Sequence, residues 1–170
     1  MPLVEELVRR GDRVSYVVNE RLAPRLAAVG AEPIGLPYTA PPALDGPVQP
    51  DVVENVEIRA WFPQPAVLRR ATVFLSHAGM NSTMESLYHG VPLVTVPQDV
   101  EQEANAARVE ELGAGRQLAR ADLTPQLLRE TVATVVADDD IGARAATCST
   151  ALQRCNGPAL GADALENHLA

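Results

Sequence analysis

In the middle of the chain, short apolar runs typical of strands alternate with segments whose apolar residues have helical spacing. Residues 72–76 form a short apolar run that is rich in strand-forming side chains. His77-Ala78-Gly79 then turns the chain, and Asn81 or Ser82 is a suitable first residue for a helix that ends near Gly90. A second apolar run lies at 93–96. This order predicts two parallel strands joined by a helix.

The remaining segments continue the alternation of helices and strands. Predicted helices cover 3–10, 20–29, 65–70, 100–112, 125 to the break at 138–140, 141–155 and 163–169. Predicted strands cover 13–18, 34–36 and 55–60. The helix that starts at Pro125 is capped by Thr124, and its apolar side is expected to hold Leu127, Leu128, Val132, Val135 and Val136. Together these elements predict an α/β fold: a Rossmann-like parallel sheet with helices on both faces.

The turn at 77–79 is expected to lie beyond the carboxyl ends of the parallel strands. A strand followed by small residues and a helix N-terminus gathers unpaired backbone N–H groups at the positive end of the helix dipole. Open α/β sheets bind their ligands at this edge. The sequence therefore predicts an anion-binding corner. His77 is a candidate contact there, although a lone histidine is more often structural.

Charge and composition narrow the class of ligand. The formal net charge of −8 argues against nucleic acid, whose phosphates require a basic surface. No apolar run is long enough to span a membrane and no basic segment opens the chain, so we expect a cytoplasmic protein without membrane contact. Cys148 and Cys155 are expected to be reduced thiols, because a helix face cannot easily close a disulfide between them.

Several spaced segments of the central region form one extended motif: Trp61-x-x-Gln64, His77-Ala-Gly-Met-Asn-Ser-Thr-Met-Glu85, Gly90-Val-Pro92, Pro97 and Glu101-Gln102. This motif resembles the nucleotide-sugar box of GT-B glycosyltransferases, which plant secondary-metabolite and bacterial macrolide glycosyltransferases share. Residues 105–115 (NAARVEELGAG) are most similar to the macrolide group.

The resemblance implies three contacts to the nucleoside of a UDP- or dTDP-sugar. Trp61 would stack on the uracil or thymine ring, Gln64 would contact the base edge, and Glu85 would accept hydrogen bonds from the ribose hydroxyls. From the residues alone, Trp61 also fits a core aromatic. Ser82-x-x-Glu85 equally fits a capping box, in which both side chains satisfy the helix N-terminus.

The resemblance also implies contacts to the diphosphate and the sugar. His77 would donate to the diphosphate, Gly79 would allow close approach, and Asn81 and Ser82 match phosphate-contacting positions. Glu101-Gln102 would bind the hydroxyls of the transferred sugar, which favours a hexose such as glucose without excluding deoxysugars. Acidic residues in a first turn also serve simply to complement the helix dipole. No carboxylate cluster has metal-site spacing, and the resemblance implies no cofactor or metal beyond the nucleotide-sugar co-substrate.

The resemblance divides the chain into three parts. Residues 1–36 resemble a remnant of the N-terminal, acceptor-binding domain, and 52–170 resemble the nucleotide-sugar-binding domain. Residues 37–51 contain five prolines and are expected to form a linker or surface loop. Family members are more than twice this length, so the chain resembles an internally deleted member. We expect the strands and helix of 13–36 to join the same sheet as the later strands.

The function implied by the resemblance is inverting transfer of a hexose to a hydroxyl of a small-molecule acceptor such as a macrolide, an antibiotic-modifying reaction. No catalytic residue is identified, because the family's general base lies on a Gly-His-x-x-Pro turn that this sequence lacks. Two alternatives stay open. The chain could be a donor-binding subunit that needs a partner acceptor-domain chain or self-association, or a non-catalytic nucleotide-sugar-binding remnant or sensor.

We therefore expect weak or absent sugar transfer by these 170 residues alone. Losing a general base typically costs about 10²–10⁴-fold in rate. The measurement is product formation from UDP-glucose and a macrolide. Ordinary turnover would contradict the expectation.

Overall fold

The computed structural model describes residues 2–19, 23–36 and 63–169. Its helices and strands alternate as the sequence pattern predicts. In chain order the elements are α1 (Pro2–Arg10), β1 (Ser15–Asn19), α2 (Ala23–Ala27), β2 (Glu32–Leu36), α3 (Gln64–Leu68), β3 (Phe74–Ser76), α4 (Met80–Tyr88), β4 (Leu93–Thr95), α5 (Val100–Glu111), β5 (Gly115–Gln117), α6 (Pro125–Ala137), α7 (Asp139–Arg154) and α8 (Gly157–Leu169).

These residues form two compact units. The first combines the described residues up to 36 with 156–169, and the second comprises 63–155. In the first unit, β1 and β2 pair in parallel from Ser15 opposite Glu32 to Asn19 opposite Leu36. Its core is built from Val4, Leu26 and Ala31.

An ion-pair network on Arg10 joins α1 to α8 within the first unit. The Arg10 guanidinium donates to Asp163 at 2.6 Å, to Glu166 at 2.9 Å and to Glu6 at 2.9 Å. Hydrogen bonds from Arg9 and Arg10 lower the pKa of Glu6 from 4.5 to about 2. One cation therefore connects the last helix of the chain to the first.

The second unit is a parallel sheet in the order β3-β4-β5. Successive residues of the central strand β4 point to opposite faces. Leu93 packs in one core with Leu87, Val109 and Ala145, and Val94 packs in another with three further buried residues, Leu118, Val135 and Ile141. Both faces of the sheet are thus covered by helices, and all three residues of β4 are buried.

Two sets of contacts hold neighbouring elements of the second unit together, one between β4 and β5 and one between α4 and α7. Gly115 lies so close to the carbonyl oxygen of Leu93 that an added Cβ would come within 2.2 Å of it. At the C-terminal end of α4, the Tyr88 carbonyl accepts hydrogen bonds from Ser149 at 2.6 Å and Gln153 at 3.0 Å. These side chains of α7 hold the far end of α4, whose other end faces the carboxyl ends of the strands.

The α/β fold class is confirmed, and most elements lie where the sequence pattern predicts them. Gly11, Gly30, Gly90 and Gly113 follow helices with positive φ angles. The strand β5 was not predicted, α8 is longer than expected, and Val136 is 49% exposed rather than packed. Both cysteines are free thiols. Within the described ranges, no helix is long and apolar enough to cross a bilayer.

Whether the strands and helix of 13–36 join the later strands in one sheet stays a prediction. Within the described residues, β1 pairs with β2, and β3, β4 and β5 form the sheet of the second unit. The predicted loop at 37–51 and strand at 55–60 lie outside the described residues, so the domain boundaries stay a prediction. α8 belongs to the first unit because Arg10 of α1 donates hydrogen bonds to Asp163 and Glu166 of α8.

Arg10→Met should lower the melting temperature of the first unit at neutral pH, because the carboxylates of α8 lose their shared cation. Because the pKa of Glu6 is depressed, its stabilisation is present above about pH 4.5 and is lost as the pH falls through about 2. The difference between wild type and Arg10→Met should therefore narrow from pH 5 to pH 2. Thermal unfolding followed by circular dichroism across this range measures it.

The matched control is Arg108→Met, which removes an exposed ion pair with Glu111 on α5. Exposed pairs of this kind contribute little. A difference for Arg10→Met that is independent of pH, or no larger than that for Arg108→Met, would contradict the assigned role of the network.

Candidate functional site

The turn between β3 and α4 holds a buried residue in a strained conformation. Ala78 has φ of 66° and is fully buried. The left-handed region costs a residue with a Cβ about 1 kcal/mol. The Ala78 N–H donates to Ser76 Oγ at 3.1 Å, and its carbonyl accepts from Asn105 Nδ2 at 2.9 Å. These two side chains hold the turn from both sides.

The helix that follows begins without a capping side chain. Gly79, which has no side chain, is the N-cap residue of α4, and within the described residues no side chain hydrogen-bonds to the first-turn N–H groups. The first backbone bond of the helix runs from the Thr83 N–H to the Gly79 carbonyl at 3.0 Å. The N–H groups of residues 80–82 therefore point out of the helix toward the carboxyl ends of β3 and β4. Unpaired N–H groups and the helix dipole together favour an anion at this position.

His77 lies over Gly79 at this helix start. A Cβ added to Gly79 would come within 2.7 Å of His77 Nε2. The absence of a side chain at Gly79 therefore gives the imidazole its position beside the first turn of α4. His77 and Asn81 are both exposed, so their polar atoms face solvent where an anion could bind.

Gln64 connects α3 to α4 through the two residues that matched a capping box. Its Nε2 donates to Ser82 Oγ at 3.1 Å and to Glu85 Oε2 at 2.9 Å. Ser82 lies inside the helix rather than at its N-cap, so the capping-box interpretation of Ser82 and Glu85 is wrong. The structure instead places Gln64, Ser82 and Glu85 in one hydrogen-bonded group.

A capping arrangement is found one helix later. Asp99 is the N-cap residue of α5 and accepts from the Gln102 N–H at 3.0 Å. The Gln102 side-chain amide also bonds to the residues just before α5: Nε2 donates to Asp99 at 2.6 Å, and Oε1 accepts from the Gln98 N–H at 2.9 Å. Glu101, next to it, accepts from Asn105 Nδ2 at 2.7 Å. The Gln102 side chain thus already bonds to Gln98 and Asp99, whereas the Glu101 side chain is exposed.

A cleft of about 440 Å³ opens beside the turn between β3 and α4. The polar side chains in its wall are Gln64, Ser76, His77, Ser82 and Gln98, and the apolar part of the wall is formed by Phe74, Leu75, Val96, Leu123 and Leu128. A volume of this size is typical of small-molecule sites. His77 is the one ionisable group among these lining residues. The predicted residues Gln64, His77 and Ser82 are thus brought together.

The other predicted residues are placed less directly. Glu85 is linked to the cleft through Gln64, and Gln102 through the Gln98 backbone. Asn81 and Glu101 lie on the first turns of α4 and α5 and are not part of the cleft wall. Trp61 lies outside the described residues. In the part of the chain that the structure describes, no group of three His, Cys, Asp or Glu side chains could hold a metal ion.

Comparison with known proteins gives the family. Residues 39–158 match the family model of the erythromycin biosynthesis protein CIII-like C-terminal domain. The chain belongs to this family. The sequence resemblance to GT-B glycosyltransferases is thereby confirmed, and the family match includes the β3–α4 turn and the cleft beside it.

Named proteins to which this chain is similar are glycosyltransferases. The NDP-glycosyltransferase YjiC of Bacillus licheniformis is 43% identical over 120 residues, which are 71% of this chain and 30% of that protein. The oleandomycin glycosyltransferase of Streptomyces antibioticus is 36% identical over 119 residues, 70% of this chain and 28% of that protein. The crystal structure of the kitacinnamycin glycotransferase superposes with a TM-score of 0.68 at 30% identity, covering 92% of this chain and 43% of that one.

The chain spans less than a third of the length of these two curated relatives. Their full activity is therefore not transferred to it by similarity alone. What the comparisons establish is the family and fold of a domain that carries the observed turn, the uncapped helix start and the neighbouring cleft.

Three structural residues of this site were not assigned by sequence reasoning. Ser76 and Asn105 hold Ala78, and Asp99 caps α5. The D-x-x-Q pattern of Asp99 and Gln102 is a detectable capping signal, because Asp followed three residues later by Gln is a sequence signature of a helix N-terminus. The bond between Asn105 and Ala78 carries no such local signal, since 27 positions separate the two residues.

Gly79→Ala should move the His77 ring away from the first turn of α4 while the fold stays intact. The backbone at Gly79, with φ of −60° and ψ of 140°, accepts an alanine, so the cost is about 1 kcal/mol for a poorer N-cap. The NMR signals of the His77 imidazole should shift clearly.

Gly142→Ala is the matched control, because a Cβ at Gly142 would meet nothing within 4 Å. It should leave the His77 signals unchanged and stabilise α7 by roughly 0.5–1 kcal/mol. Unchanged His77 signals in Gly79→Ala would show that the ring does not lie over Gly79.

Proposed function

We propose that the second unit binds the nucleoside diphosphate of a sugar donor, a UDP- or dTDP-sugar, at the start of α4. The observation that carries this proposal is the uncapped helix start beside the strained turn, with His77 above it and a cleft alongside. Family membership supports it, because the named relatives are glycosyltransferases.

The diphosphate would be held by local donors rather than by overall charge. The chain carries a net charge of −8, so its general field repels an anion. Backbone N–H groups at residues 80–82 and the His77 imidazole supply directed hydrogen bonds at one place. Because these donors are fixed before the ligand arrives, little free energy is spent on arranging them.

The nucleoside would bind across Gln64 and Glu85. The Glu85 carboxylate uses Oε2 for Gln64 and retains lone pairs that can accept from the two ribose hydroxyls. Gln64 lies in the cleft wall, and because its bonds to Ser82 and Glu85 both use Nε2, its amide oxygen would contact the base edge. Trp61 would stack on the base, a role that comes from the family resemblance.

The transferred sugar would be recognised mainly by Glu101. Its Oε1 accepts one hydrogen bond, and an ionised carboxylate accepts several. Gln102 would have to exchange its bonds to Asp99 and the Gln98 N–H for bonds to the sugar. Glu101 is therefore the stronger candidate of the predicted pair, with Gln102 as a partner that reorganises on binding.

The reaction we propose is inverting transfer, in which an acceptor hydroxyl oxygen bonds to the anomeric carbon as the bond to the diphosphate breaks. The hydroxyl proton passes to a general base, and the nucleoside diphosphate leaves with the bonding electrons. His77 would stabilise the negative charge that grows on the leaving group. A small-molecule hydroxyl compound, such as a macrolide, would be the acceptor.

One observation also favours a narrower function, that of a donor-binding module. Among the described residues that line the cleft, His77 is the ionisable one, and a residue that holds the diphosphate cannot also deprotonate the acceptor. The base and the acceptor site would then come from other residues, in a partner chain or elsewhere. Binding without turnover is the signature of this second candidate.

Calorimetric titration of UDP and then UDP-glucose tests the proposal. The chain should bind both saturably. His77→Ala should weaken binding about ten- to a hundredfold, because hydrogen bonds to charged groups contribute about 1.5–3 kcal/mol. Trp61→Ala should weaken binding through lost stacking.

The matched control is His89→Ala, which removes a histidine at the opposite end of α4. It should leave the affinity unchanged. Absence of UDP binding by the folded chain, or equal losses in His77→Ala and His89→Ala, would overturn the assignment of the site.

A further inference from the structure

The Asn105 side chain contacts two parts of the proposed site at once. This half-buried residue of α5 donates from Nδ2 to the Ala78 carbonyl at 2.9 Å and to Glu101 Oε1 at 2.7 Å. Both partners are acceptors only, so chemistry fixes the orientation of the amide with its NH₂ group toward them. Each of the two N–H bonds of one nitrogen therefore has its own acceptor.

The first bond secures the strained turn. Ala78 is fully buried, so its carbonyl would have little access to water without Asn105. An unsatisfied buried carbonyl is costly, and the left-handed conformation of Ala78 adds to that cost. Loss of the Asn105 amide should therefore let the turn relax, and with it the Gly79 and His77 groups that follow in the chain.

The second bond orients Glu101. This exposed side chain lies one helical turn before Asn105, and glutamate otherwise samples several rotamers in solvent. A charge-assisted bond to the amide holds Oε1 in one place while the rest of the carboxylate stays open. The position of the carboxylate is thus set relative to the Ala78 turn by a single NH₂ group.

We infer that Asn105 is a positioning residue that couples the diphosphate-binding turn to the sugar-reading carboxylate Glu101. This inference rests on the proposed function and assigns Asn105 a part in donor specificity. Asn105 touches neither diphosphate nor sugar. It sets the distance between the Ala78 turn and the Glu101 carboxylate, so that the diphosphate and the sugar of one donor are bound at a fixed spacing.

The test compares the affinities of UDP and UDP-glucose for four single variants and one double variant. Asn105→Ala should weaken UDP binding several-fold through the turn and should weaken UDP-glucose by about a further tenfold through Glu101. Ser76→Ala, which removes the other bond to Ala78 without touching Glu101, should weaken both ligands by the same factor. Gln126→Ala, which removes a surface amide–carboxylate bond to Glu130 on α6, should change neither.

Glu101→Ala is the fourth variant and completes a double-mutant cycle with Asn105→Ala. In the Glu101→Ala background, Asn105→Ala should no longer change the ratio of the two dissociation constants, because the carboxylate it orients is gone. A uniform loss of affinity from a purely structural role would not show this pattern. Equal weakening of UDP and UDP-glucose by Asn105→Ala, or a change in ratio that persists without Glu101, would overturn the coupling.

A ligand-free measurement separates this inference from the proposed function. The Ala78 N–H, bonded to Ser76 Oγ, should exchange with solvent about tenfold faster in Asn105→Ala than in wild type or Gln126→Ala. Unchanged exchange would overturn the role of Asn105 in holding the turn. If folded wild type binds no UDP, the proposed function fails and the role of Asn105 toward Glu101 fails with it, whatever the exchange result.

Discussion

The left-handed conformation of Ala78 is the constraint on which the candidate site depends. It is stable because Ser76 and Asn105 satisfy both polar groups of its backbone in a buried position. The conformation turns the chain from the carboxyl end of β3 directly into α4, with Gly79 as a bare N-cap. His77 then fits over Gly79, and its side chain forms part of the cleft wall. Strained residues of this kind are commonly found at functional sites.

The sheet beneath the turn supplies the rigidity that this strain requires. β4 is buried along its length, with Leu93 and Val94 anchoring separate cores on its two faces. The far end of α4 is fixed by the bonds from α7 to the Tyr88 carbonyl, so its near end is held firmly against the turn. The first unit depends on a different interaction, the sharing of Arg10 among carboxylates of α1 and α8.

Sequence reasoning predicted the α/β class, the strand–turn–helix of the site and most helix ends, because glycine positions and apolar periods are local signals. It missed β5, whose three residues include Arg116 and Gln117 and form no apolar run. Sequence reasoning could not decide whether Ser82 and Glu85 form a capping box or contact a ligand. The structure excludes the capping box, because the N-cap residue of α4 is Gly79. The bond from Asn105 to Ala78 joins distant positions, so no local pattern could reveal it.

An NMR titration of the ¹⁵N-labelled chain with UDP tests directly whether the start of α4 binds the donor. The backbone N–H signals of Met80, Asn81 and Ser82 should shift most strongly and saturably, because these groups would donate to the diphosphate. Signals of α8 should stay unchanged. Saturable shifts centred on another part of the chain, or none at all in the folded protein, would contradict the claim that the start of α4 is a donor-binding site.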